Sequence, residues 1–201
     1  LGNEYGLAWL DMSSGRFHLM RLGSVDEVRS ELERLRPAEL LVREVFDADA
    51  LKDSATNIRP RPDWFFDAAL ATRSLCAKFG TQDLSGFGCE GVDSGIGAAG
   101  CVLKYCEDNY CGQLPHLQSL RFEQRSATVL MDPATRRNLE LTVNIHQHSS
   151  APTLVDLLDT TATAMGGRLL RRWLQAPNRD QNVLRLRHHA VSEFLASPSL
   201  D

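Results

Sequence analysis

The chain has 201 residues, of which 43% are hydrophobic and 24% charged, and its net charge is −4. Such a make-up suits one generous globular domain, or one domain and part of another. It argues against nucleic-acid binding by overall charge, and no apolar run reaches the roughly 18 residues of a membrane helix.

The first residues run into an alternating pattern at Tyr5, Leu7 and Trp9, which predicts a strand rather than a signal peptide. Tyr5 to Asp11, a turn at Ser13-Ser14-Gly15, and Arg16 to Leu22 read as a β-hairpin, with Gly15 supplying the backbone freedom. Ser24 stands three residues before Glu27, the spacing of a capping box. Val25, Val28, Leu32 and Leu35 then form one helical stripe, and Pro37 marks the exit. Glu39-Leu40-Leu41-Val42 suits an interior strand, and strand–helix–strand order points to an α/β fold. Arg59-Pro60-Arg61-Pro62 reads as a stiff connection, followed by core or docking bulk in Trp64, Phe65 and Phe66. A helix is expected from Asp67, as N-cap, to Phe79, with Gly80 as its stop. Another is expected from about Ser94 to Tyr110, on the stripe Ile96, Ala99, Leu103, Cys106 and Tyr110. Its small residues 97–100 allow close packing on a sheet.

From residue 126 onward the signals are helical. Asp132 caps a helix that opens with Pro133 and is expected to run through Glu140. Residues 147–152 read as a loop, and Thr153 with Asp156 restarts a short helix. Met165, Leu169 and Trp173 lie four apart, with Leu170 and Leu174 widening the stripe and Arg168, Arg171 and Arg172 rimming it. Pro177 ends that helix, and a last one runs from about Asp180 towards Leu195. The two parts differ in charge. Residues 1–125 carry 14 basic and 19 acidic side chains, residues 126–201 carry 8 and 7.

Chemistry-bearing residues are present but scattered. Asp11 ends the first strand, where a metal-dependent nuclease would place a carboxylate, yet the second strand supplies no acid to join it. It reads as a turn-capping residue. Five cysteines do not make a disulfide framework, which points to a cytoplasmic protein. Cys101, Cys106 and Cys111 are each turned about 140° from the last on a helix, so they cannot converge on a metal. His146 and His148 read as loop histidines, and the neighbours His188 and His189 point apart on a helix. Gly86-Phe87-Gly88 lacks the Lys-Ser/Thr ending of a phosphate loop. No nucleophile elbow or zinc-protease helix is present.

Six blocks in order carry a resemblance: YGLAWLDMSSGRFHL, RPAELLV, KFGTQDLSGFG, AAGCVLKY, MDPATRRNLELT and TLVDLLDTTATAMGGRLLRRWLQAPNRD. Together they resemble the MutS family of bacterial DNA mismatch-recognition ATPases along essentially the whole chain. The resemblance implies a ribonuclease H-like connector domain over 1–125, without nuclease activity. It implies the N-terminal part of an all-helical lever, or core, domain over 126–201. The function expected of the chain is coupling and partner docking, with no catalytic, metal or cofactor site of its own. ATP and Mg²⁺, mismatched duplex DNA, a homodimer and the matchmaker protein MutL are expected partners of the full-length protein. MutL docking falls on the region of Arg73 and Ser74, while Asp11, Gly15, Asp132, Pro133, Met165, Leu169 and Trp173 are expected to be structural. Phe65-Phe66-Asp67 is not the family's Phe-x-Glu mismatch wedge, and the sequence VNIHQHSS departs from the family's glycine-bearing loop after NLELT. A metal-dependent nuclease and a standalone nucleic-acid binding module are the competing readings.

Overall fold

The computed structural model describes residues 4–52, 57–109, 114, 117–145 and 151–196. The chain divides into two compact units, Leu1–Gln124 and Arg125–Asp201.

In the first unit, β1 (Tyr5–Asp11) and β2 (Arg16–Leu22) form the hairpin, pairing antiparallel from Tyr5 with Leu22 to Asp11 with Arg16. Gly15 closes the turn at φ 66°, a conformation that costs glycine little. β5 (Leu120–Phe122) adds to β2 in parallel, making the order β1-β2-β5. A second, two-stranded sheet pairs β3 (Leu40–Arg43) with β4 (Ile58–Arg61), also in parallel. The sequence reading missed two of these strands. β4 occupies the stretch read as a stiff connection; its Pro60 lacks an N–H, which an edge strand tolerates. β5 is three residues long, too short to show an alternation.

Because side chains alternate across a strand, the three-stranded sheet feeds two cores. Phe17, Leu19 and Leu120 are buried with α2 (Ala68–Phe79) and α3 (Asp93–Asn109). Leu7, Met20 and Leu22 are buried on the opposite face with Val28 and Leu32 of α1 (Val25–Leu35). The sheet is therefore covered on both faces. At the rim of the α1 face, Arg34 pairs with Glu31 at 2.5 Å and lies over the Trp9 ring. Trp9 stacks on His18, whose Nδ1 stands 3.0 Å from a Glu123 carboxylate oxygen.

The second unit is helical: α4 (Pro133–Asn138), α5 (Leu154–Leu158), α6 (Ala164–Gln175) and α7 (Gln181–Ala196). Asp132 accepts a hydrogen bond from the Thr135 amide at 2.7 Å, and Pro133 begins α4. That helix ends at Asn138, earlier than its sequence suggests, because Glu140 turns left-handed at φ 44°. The Glu140 carboxylate then accepts from the Ile145 amide, and the carbonyls of Glu140 and Leu141 accept from Leu154 and Val155. The apolar run after Ala127 does not form a strand; it makes an isolated bridge between Thr128 and Asn178.

Candidate docking surface

Helix α2 is fixed at both ends by its own sequence. Asp67 accepts a hydrogen bond from the Leu70 amide at 2.7 Å, and Gly80 adopts φ 67° so that its N–H reaches the Cys76 carbonyl. Ala71 and Leu75 are buried against α3. The approach is close: a methyl at Gly100 would collide with the Ala71 side chain, and one at Gly97 with the Phe66 carbonyl. Ser74 and Arg73 lie on the other side of α2 with Ala69, Leu70 and Ala77, all exposed. Among the described residues, neither Arg73 nor Ser74 has an ion pair or a side-chain hydrogen bond. The helix thus presents a rigid polar and apolar surface that the unit itself does not use.

Asp11 is engaged locally. Its carboxylate accepts from the Ser13 amide at 2.9 Å, the Ser13 hydroxyl at 2.7 Å and the Ser14 hydroxyl at 2.6 Å. Partial burial raises its pKa, but the hydrogen bonds from Ser14 and Ser13 outweigh that and hold it below the ordinary value. No group of three or more His, Cys, Asp or Glu side chains that could hold a metal occurs among the described residues. His146, His148 and Cys111 lie outside those residues. His188 and His189 are exposed on α7. The aromatic run is split by the structure. Trp64 is 59% exposed, while Phe65 and Phe66 are half-buried beneath arginines.

In the second unit Met165 is 73% exposed, the Arg187 guanidinium lies over the Trp173 ring 4.4 Å from its centroid, and Leu169 is half-buried. The helix is strongly amphipathic, yet none of its residues is fully buried.

Residues 1–118 match the family model of MutS domain II, and residues 134–201 match that of MutS domain III. The chain belongs to the MutS family. Its first unit is the mixed α/β, ribonuclease H-like connector, and the helices after it belong to the MutS lever. A coupling and docking role follows from that identity, and the scattered carboxylates speak against a nuclease built on the MutS connector. No described helix is long and apolar enough to cross a membrane.

Proposed function

We propose that residues 1–125 serve as the connector and residues 126–201 as the N-terminal part of the lever, and that MutL docks on the exposed face of α2 at Arg73 and Ser74. The observation that carries this reading is the division of α2 into a locked face and a free one. Ala71 and Leu75 are buried against α3, with Gly100 beside Ala71, while Arg73 and Ser74 have no ion pair or side-chain hydrogen bond among the described residues. A partner that binds there meets a preformed surface and does not need to order it, which lowers the cost of association.

In this reading the chain transmits rather than reacts. ATP and Mg²⁺ act at the ATPase region of the complete protein, mismatched duplex DNA is gripped by the complete homodimer, and the work takes place in the cytoplasm. The test is a titration of MutL against the 201-residue chain and its Arg73→Glu variant. Reversing one charge at the centre of the face should weaken binding about tenfold, or about 1.4 kcal/mol, with circular dichroism unchanged. Equal affinity of the two proteins would remove Arg73 from the interface.

A further inference from the structure

The two-stranded sheet holds a second feature that the docking of MutL on α2 does not explain. Arg43 and Arg61 are register partners at the ends of β3 and β4, so their side chains leave the sheet side by side on one face. Arg59 stands on the same face two residues earlier. Like charges directly opposite one another in a sheet are destabilising, and a carboxylate between them is the usual remedy. Arg59 has one, Glu39 at 3.1 Å, itself hydrogen-bonded by the Tyr105 hydroxyl. Arg43 and Arg61 have none among the described residues. Glu44 and Asp63 flank them in sequence and form no ion pair with either.

Both guanidiniums are instead held by aromatic rings. Arg61 lies 4.8 Å from the Tyr105 centroid and 6.0 Å from that of Phe65, and its buried Nε has no hydrogen-bond partner. Arg43 lies 5.5 Å from the Phe66 centroid, with one weak contact to the Phe66 carbonyl at 3.4 Å. Stacking fixes the planar forks without using up their N–H donors. Beside them, Trp64 rests on Phe65 at 4.0 Å and is 59% exposed, and Val45 is 77% exposed. Paired guanidiniums held on aromatic rings and an exposed tryptophan therefore lie together beside this end of the sheet.

We propose that Arg43 and Arg61 form a binding site for an acidic segment of a protein partner, a carboxylate taking the two guanidiniums while an apolar neighbour covers Trp64. The charge balance selects this occupant over duplex DNA. Residues 1–125 carry 19 acidic against 14 basic side chains, which repels a long phosphate backbone more strongly than a short acidic segment. Tryptophan and arginine are also the side chains that dominate protein interfaces. The site does not depend on Arg73 or Ser74.

The experiment titrates the isotopically labelled 201-residue chain with hexaglutamate and follows the side-chain Nε–H resonances of Arg43 and Arg61. Both should shift together and saturate, whereas a short DNA duplex and inorganic phosphate at equal concentration should move them less. Arg43→Gln tests the more exposed partner and leaves Arg61 in place. Arg43→Lys keeps the charge but loses the planar fork, and each variant should bind hexaglutamate at least about tenfold more weakly. Undiminished binding by Arg43→Lys would reduce the site to general charge attraction and overturn it. A larger response to duplex DNA or to phosphate would assign another ligand and overturn it equally, as would no shift at millimolar peptide.

Discussion

Gly100 sets how closely two helices of the first unit approach. Its missing Cβ is what allows α3 to lie against Ala71 of α2. Gly100→Ala forces two backbones apart in a packed interior, which costs about 1–3 kcal/mol. Chemical denaturation should show that loss, whereas Gly86→Ala, with open space around it, should change little. Four small residues in succession promise a close approach to a sheet; what Gly100 and Gly97 meet instead is Ala71 of α2 and the Phe66 carbonyl. The cysteines read more simply. Burial pushes the Cys101 thiol up to about 12, an effect that the nearby Arg61 charge only partly offsets, and burial pushes Cys89 up to about 11. Their ordinary value is 9.0, so both are protonated thiols at neutral pH and weak nucleophiles. The sign follows from the raised values. Their contribution to stability is complete below pH 9 and is lost as pH climbs towards 11 and 12. Alkylation of the native chain with iodoacetamide at pH 8, mapped by mass spectrometry, should leave Cys89 and Cys101 unmodified while half-buried Cys76 reacts. Rapid modification of Cys101 in the folded protein would contradict its burial.

Elements with strong end signals were the legible ones. α1 and α2 carry Ser24 and Asp67 at their starts, and α2 carries Gly80 at its end; each residue forms the cap that its type predicts. The capping box of Thr153 and Asp156 on α5 forms with both of its hydrogen bonds. The illegible elements lack such signals. β4 hides in an Arg-Pro alternation that reads as a connector, yet Ile58 packs inward and Arg59 and Arg61 share the opposite face. With β4 unread, the Arg43–Arg61 juxtaposition was out of reach, because it exists only through the pairing of β3 with β4. The α4 helix looked longer than it is because nothing in Leu139-Glu140 signals a left-handed residue; the hydrogen bond from Ile145 selects it. One substitution tests α2 as a unit. Asp67→Ala removes the acceptor for the Leu70 amide, and the loss of an N-cap costs about 1 kcal/mol. The loss should appear in denaturation midpoints, with amide exchange of the first turn of α2 accelerated most. No change in either would show that packing on α3 alone defines the helix.

At the scale of the whole chain, the two units differ in how far each closes its own core. In the first unit, side chains from both sheet faces are buried against helices. In the second, Val155, Leu141 and Thr153 are buried, but α6 and α7 bury no residue, and Leu186, Phe194 and Leu195 are largely exposed. Burying a large apolar side chain is worth roughly 1.5–3 kcal/mol, and these helices do not gain it. Backbone bonds hold the second unit instead, from Val129 to Pro177 and from Arg179 to Ala127. Local opening should therefore be easier in α6 and α7 than in α2 and α3. On this account the first unit is the rigid docking piece and the second the pliable transmitting one. Hydrogen exchange of the chain, alone and with saturating MutL, tests it most directly. Alone, the amides of α6 and α7 should exchange well before those of α2 and α3; with MutL, new protection should gather on residues 68–79. Equal protection of α6 and α3 in the free chain, or a MutL footprint confined to residues 154–196, would contradict the account.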